Sequence, residues 1–450
     1  MCSSDLPILV LFLMLGVARK PAWVSALTAL GTALVVALGA YGMPAPLAII
    51  SVLYGGAFGL FPIAWIVFSS IMLYRLAVET GKFEIIKNSI GGLTTDRRLQ
   101  AMFIAFSFGA FIEGAAGFGA PVAVAGAMLA GLGFDPFYAA GICLLANTAP
   151  VAFGSIGVPV VTLASVTGLP LPAISATVGR LCASISVFIP AYLMIVMVGR
   201  RRAMEVLPAI VACGVSFAGM QFIVSNYVGA ELTDIVSSLT CIIVMIAVLK
   251  LWKPPSIMRL ETDAPVAANA KAVAHTGREL FLAWLPYLLL VVYVLAWGEP
   301  AVKKAIDTWT NGLLTGVVPM TGLNGINVPG LHNMIQRMPP VTATPAPYAA
   351  VFTWNWLSAS GTACLLATVT AALFLGLKPA SVVKAYTDTF KQLTYAMITI
   401  ASMLGLAYLM NYSGMTSTLG LALASTGPTF PFFRSEEHTS ELQSLAYLVC

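Results

Sequence analysis

The apolar positions of this chain come in long unbroken runs. They show neither the alternation of strands nor the narrow stripe of a soluble helix. Runs of ~20 apolar residues, the length that crosses a bilayer as a helix, recur from one end to the other. Trp23–Tyr41, Leu60–Val78, Val206–Tyr227, Ile235–Leu251, Leu280–Trp297, Ser358–Leu377 and Leu393–Met410 each predict a span. Ala173–Val198 predicts a longer one, with Arg180 near its first turns and Pro190 inside. Shorter apolar runs, Pro7–Val17 and Leu419–Phe433, lie near the two ends. With interrupted elements included, the pattern predicts roughly a dozen membrane elements.

The polar positions between the runs orient them. Arg75–Leu99 is basic, as are Arg200–Arg202, the stretch from Lys250 to Arg278, and Lys378, Lys384 and Lys391. Lys and Arg collect in cytoplasmic loops, so these face inside and the start of the chain lies outside. The turn carrying Glu231 and Asp234 has no base and reads as an external loop. Glu299–Pro347, rich in Pro, Gly and Asn, reads as a longer external loop with short interfacial helices.

Two runs carry chemistry out of keeping with a plain span. Phe106–Phe134 has the apolar length of a crossing element but contains Glu113, whose nearest acidic neighbours in sequence are Asp96 and Asp135. Gly114, Gly117, Gly119 and Pro121 follow it. An ionisable group at membrane depth is costly and is by default a functional-site hypothesis. Broken backbone survives in a bilayer only where protein or a watery cavity surrounds it. The second run, Pro136–Ala152, is interrupted by Asn147, Thr148 and Pro150 in the string ANTAPVAFGSIGVP.

Composition agrees with the pattern: 59% of residues are hydrophobic and 9% charged, against about a quarter charged in a soluble domain. The expected fold is an all-α polytopic membrane protein. The net charge of +5 reflects bases gathered in loops and is no nucleic-acid signal. Of seven cysteines, Cys143, Cys182, Cys213, Cys241 and Cys364 are scattered singly through apolar spans, with no disulfide or metal-ligand spacing. His275, His332 and His438 form no metal motif. No nucleotide loop, nucleophile elbow or cofactor motif is present, so neither a cofactor nor an enzyme is expected, and oligomeric state is not legible. MCSSDL and RSEEHTSELQS resemble translated frames of a sequencing-library adapter. Residues 1–6 and 434–450 are therefore set aside, 7–433 is taken as the membrane domain, and truncation at both ends is expected.

Three roles fit Glu113. As a proton carrier it would bind a proton when sealed from water and release it on meeting water or a cation. As a direct ligand it would suit a cation or a hydroxyl donor. As a packing residue it would hydrogen-bond a neighbouring helix. A carboxylate substrate would be repelled by ionised Glu113, so protonation before anion binding is the coupling that electrostatics favours. Gly114, Gly117 and Gly119 fit small-residue helix packing or a break that offers free N–H groups to an anion. Asn147 and Thr148 fit interhelical glue or substrate ligation. Arg180 fits bidentate pairing with a substrate carboxylate or snorkelling to the interface. A transporter and a membrane structural or receptor subunit both remain open from the residues themselves.

FGAFIEGAAGFGAPVAVAGAMLAGLGF and YAAGICLLANTAPVAFGSIGVP closely resemble the L-lactate permease family. The likeness runs from about Pro7 to Phe433 and includes SNYVGAELTDI, RMPPV and NYSGMTSTLGLALA. It implies a bacterial inner-membrane secondary transporter that carries L-lactate, D-lactate or glycolate with a proton. It also implies an ion-transporter-superfamily fold of two inverted repeats, each with a re-entrant hairpin and a broken helix. On that template Glu113–Gly119 is the first hairpin tip, Asn147–Gly154 the following break, and about 100–198 the first repeat core. Glu113 takes proton coupling; Gly114, Gly117, Gly119, Asn147, Thr148 and Arg180 take substrate binding. The family continues into a second hairpin beyond this sequence, so the second repeat is expected to be incomplete and the 450-residue chain inactive by itself.

Overall fold

Proline and glycine punctuate the helices. The computed structural model describes residues 3–91, 93–115, 117, 120–259, 276–314, 325–342 and 344–424. A short turn at Ser3–Asp5 leads into α1 (Leu6–Phe12). Then α2 (Ala22–Gly39) follows Pro21, and α3 (Ala45–Phe58) follows Pro44. Proline suits a helix start because its missing N–H is unpaired there in any case. The chain continues without a loop into α4 (Trp65–Glu79), through a wide turn in which Phe61 leaves helical geometry beside Pro62. Next come α5 (Lys82–Gly91), α6 (Arg97–Ala101) and α7 (Gly109–Ala115); a π-helical stretch, Met102–Phe108, joins the last two into one rod.

The rod is followed by α8 (Ala120–Gly131), α9 (Pro136–Ala146) and α10 (Gly154–Thr167). A long bent element holds α11 (Leu171–Ser186) and α12 (Ile189–Met204). Then α13 (Leu207–Tyr227), α14 (Thr233–Leu251) and α15 (Gly277–Gly298) cross. Among the described residues, the segment expected to lie outside has α16 (Pro300–Leu314) and four short strands: β1 (Gly325–Asn327), β2 (Gln336–Arg337), β3 (Ala346–Pro347) and β4 (Val351–Thr353). Both strand pairs are antiparallel, β1 with β4 and β2 with β3. The chain ends its described part with α17 (Ser360–Phe374), α18 (Pro379–Ser413) and α19 (Met415–Ala424).

Among the described residues, seven helices are long and apolar enough to cross a membrane, or eight if the bent α9–α10 pair counts as one span. The protein is an all-α polytopic membrane protein. The dozen elements expected included interrupted and short runs as well as full spans; among the full spans, Ala45–Glu79 and Leu171–Met204 each pass as one element. Leu6–Val17 and Ser360–Phe374 are shorter apolar helices. The longest packing seam sets α18 against α3. A Cβ at Gly55 would collide with the Leu404 backbone and lie 2.8 Å from the Tyr408 Cβ. One at Gly59 would lie 3.0 Å from the Ala401 Cα. Small residues let helix backbones approach this closely in a membrane.

Arg98, expected in a solvated basic loop, is fully buried. Its Nη2 donates to Asp96 Oδ2 at 2.8 Å and to the Ser256 carbonyl at 2.6 Å. Its Nη1 donates to Glu205 Oε2 at 2.8 Å and to the Arg202 carbonyl at 2.9 Å. This network pins the base of the α6–α7 rod to the end of α12 and to the segment after α14. The Glu205 carboxyl is held below the ordinary carboxylate range, first by the Ser256 hydroxyl and then by Arg98.

Removing one partner of a buried pair leaves the other charge uncompensated. Arg98→Met is therefore expected to cost roughly 3–5 kcal/mol, read by unfolding in detergent at neutral pH. A carboxyl lowered on folding adds stability above its unfolded pKa and loses it as pH falls through the folded one. The thermal midpoint should therefore fall in acid, and Glu205→Gln should flatten that part of the fall.

Candidate functional site

The site forms where three chain breaks meet. α7 ends at Ala115 and α8 starts at Ala120. Between them Gly117 takes a left-handed φ of +63° and donates its N–H to the Ile112 carbonyl at 3.3 Å. Only glycine adopts that conformation without strain. A Cβ at Gly117 would also lie 2.8 Å from the Ser155 Cβ.

The second break separates α9 from α10, which diverge by 71°. Asn147 caps α9 through its own N–H to the Cys143 carbonyl at 2.9 Å. Ser155 and Ile156 then adopt positive φ of 47° and 58°. Non-glycine residues are held there only when their surroundings over-determine them. Ser155 Oγ shares a 3.1 Å hydrogen bond with Ser70 Oγ of α4. Gln221 Nε2 of α13 donates to the Ala149 carbonyl at 3.0 Å, satisfying a backbone group that the break frees.

Glu113 occupies the seam between these breaks and is 5% exposed. A Cβ at Gly154 would overlap its Oε1, so the carboxyl rests directly on the bare backbone at the start of α10. The Asn147 side chain neighbours the carboxyl, and its Oδ1 is buried without a partner. Glu113 Oε2 likewise has none. At about 1.5 Å per residue, the rod from Arg98 to Gly114 places this seam roughly 24 Å from the Arg98 network.

The third break supplies the residue that sequence reasoning misplaced. Asp234, read as part of an external loop, is fully buried in the first turn of α14. A Cβ at Gly114 would lie 2.8 Å from the Asp234 Cβ and 3.0 Å from the Ile235 N–H nitrogen. Asp234 is close enough to Glu113 for their charges to interact, and neither Asp234 oxygen has a hydrogen-bond partner. The misreading arose because the apolar run starts at Ile235, whereas the helix starts at Thr233 after a tight turn at Ala230–Leu232. A carboxylate is favoured at a helix N-terminus, and an acid with no base beside an apolar run was the available signal.

The other candidates divide. Gly114, Gly117 and Asn147 line the seam. Gly119 lies outside the described residues. Thr148 is exposed beside Asn147. Arg180 is exposed on α11, where its Nε donates to Asn226 Oδ1 of α13 at 2.9 Å. Among the described residues, neither Glu113 nor Asp234 forms a salt bridge. No group of three or more His, Cys, Asp or Glu there could hold a metal ion. The seam thus combines two sealed acids, an unfilled amide acceptor and bare glycine backbone. That chemistry can hold a proton and meet a hydroxyl or protonated donor.

Residues 2–435 match the family model described as L-lactate permease. An L-lactate permease of Bacillus subtilis is 44% identical over 96% of this chain and 78% of its own length. One from Escherichia coli K12 is 42% identical over 96% of this chain and 77% of its own. A glycolate permease of the same organism is 39% identical over 95% of this chain and 77% of its own. No solved structure matches the chain.

Glu113 and Gly154 should be energetically coupled. Gly154→Ala forces the carboxyl off its seat and is expected to cost about 1–3 kcal/mol, as overpacking does. Adding Glu113→Ala should recover most of that loss, because it vacates the space the new methyl needs. A double-mutant cycle on thermal unfolding reads the coupling; additive losses would show that the two do not touch.

Proposed function

The chain belongs to the L-lactate permease family, and on that premise we propose that it carries a small 2-hydroxymonocarboxylate with a proton held by Glu113 and Asp234. It is a permease of multi-pass membrane type and no enzyme. L-lactate and glycolate are the substrates suggested by the relatives' names; D-lactate shares their carboxylate and α-hydroxyl. The single observation that carries proton coupling is the pair of buried acids that, among the described residues, form no salt bridge.

The proposed cycle follows from charge. An anion approaching two ionised carboxylates meets like charge in a medium that screens poorly. A proton taken by the pair first removes part of that repulsion and leaves an O–H that can donate to the incoming carboxylate. Asn147 is then proposed to offer a hydrogen bond to the substrate, with Gly114 and Gly117 letting the surrounding backbone come close. Release on the far side lets water return and the proton leave. Residues about 100–198, which hold the rod, the hairpin and the broken α9–α10 pair, are proposed as the core of the first of two repeats. A membrane structural or receptor subunit, the rival reading, would need the acids only for packing.

The resemblance led to the expectation that the 450 residues are inactive by themselves; the carrier reading proposed here expects instead that, in vesicles with acid outside, wild type accumulates labelled L-lactate or glycolate, and that measurement decides between the two. Glu113→Gln and Asp234→Asn should each lose pH-driven accumulation by about tenfold or more while inserting and melting like wild type. Accumulation unchanged in both variants refutes coupling through these acids. Loss of folding in both, with no separate effect on uptake, supports the packing role.

A further inference from the structure

The protein contains a second arginine at a structured site, and its surroundings are the reverse of those of Arg98. Arg337 lies in β2, opposite Ala346 of β3. The hairpin is extended by Tyr348 N–H to the Ile335 carbonyl at 2.8 Å and Asn333 N–H to the Tyr348 carbonyl at 3.1 Å. The guanidinium stands over the Tyr348 ring, 4.6 Å from its centroid. Where Arg98 is paired with two acids, Arg337 has no acidic partner among the described residues. Its Nε is buried without an acceptor.

Beneath it lies a rigid aromatic floor. Tyr348 packs on Tyr412 at 4.5 Å between centroids, and Tyr54 on Tyr408 at 4.8 Å. Tyr54 donates its hydroxyl to the Val351 carbonyl at 2.8 Å, and Tyr412 to the Ala349 carbonyl at 2.9 Å. The floor sits at the end of α18 opposite Lys378, Lys384 and Lys391, hence on the external side. One residue before Tyr412, Asn411 donates to the Val166 carbonyl in the last turn of α10 at 3.1 Å. The same helix begins at Gly154, under Glu113. The cation and the buried acids therefore lie toward opposite ends of α10, roughly 20 Å apart along its length at about 1.5 Å per residue.

We infer that Arg337 is an external subsite for the carboxylate of a small 2-hydroxymonocarboxylate, which it holds before the anion moves along α10 toward the acid pair. The naming of that ligand rests on the proposed function above. A guanidinium presents a planar fork that matches a carboxylate bidentately. Its Nε is an unspent donor on that fork. The tyrosine floor lowers local screening, and the cation–π contact holds the group in place without neutralising it. An arginine kept only to anchor the hairpin would need the ring contact but would have no reason to leave a buried donor empty.

Phenylglyoxal, which condenses with guanidinium groups, tests this directly. The purified protein is labelled with and without L-lactate, and the peptide containing Arg337 is quantified by mass spectrometry. L-lactate should slow labelling of Arg337 by about fivefold or more, whereas its neutral amide, lactamide, should not, and labelling of Arg180 should not change. Equal labelling with and without L-lactate overturns the subsite, as does equal protection by lactamide. So does failure of Arg337 to label at all, which would mean the fork is closed to ligands. The readout does not depend on carriage: protection in a protein that moves no lactate would leave the subsite standing and sink the carrier reading. Carriage without protection would do the opposite.

Discussion

The structure depends on a close contact between a carboxyl group and bare backbone. Glu113 rests where a Cβ at Gly154 would have to be, and Asp234 rests where one at Gly114 would have to be. In a bilayer two problems usually have to be solved separately: a buried acid needs a polar neighbour, and a broken helix needs partners for its freed N–H and C=O groups. Here the breaks and the acids occupy one place, so the polar cost is confined to a single seam enclosed by apolar helices. The glycines are what allow it. Any side chain at Gly114 or Gly154 would push the acids away from the breaks.

That seam is held in position from its ends. The α6–α7 rod carries Glu113 at its tip and begins beside Arg98, whose guanidinium donates to Asp96, Glu205, Ser256 and Arg202 and has little freedom left. A helical rod is stiff along its axis, so fixing its base fixes the depth of its tip. The other end of the seam is α10, whose last turn is tied to α18 through Asn411 and Val166. Since α18 packs through Gly405 and Leu404 against α2 and α3, the seam is tied to neighbouring helices at both of its ends.

The spans were legible because bilayer thickness imposes a length on apolar runs, and that length survives in sequence without any tertiary knowledge. The breaks were legible for a similar reason: Pro150, Gly154 and Gly117 interrupt runs that are otherwise uniform. What escaped was any residue whose role comes from a distant partner. Asp234 looks like loop until Gly114 is brought against it. Arg98 looks like one more loop base until Glu205 and Ser256 close over it. Arg337 looks like an ordinary external charge until Tyr348 is seen beneath it with no acid alongside. The expected span Leu60–Val78 proves to be the second half of one element, Ala45–Glu79, which turns at Phe61–Pro62 and has α18 packed along both halves.

The two arginines show why pairing, more than burial, separates scaffold from site. Burying a cation with matched acids and carbonyls satisfies its donors and removes any net attraction for a further anion, so Arg98 can brace the rod but has nothing left for a ligand. Leaving a cation unmatched over aromatic rings preserves its field, which falls off slowly where water is scarce. The acids follow the same rule with the sign reversed: among the described residues Glu113 and Asp234 form no salt bridge, so in the proposed carrier the charge that neutralises them arrives from outside, as a proton or with one. In the proposed carrier an anion is thus met first by an unspent positive charge and afterwards by an unspent place for a proton. Neither group would serve if the fold had neutralised it internally.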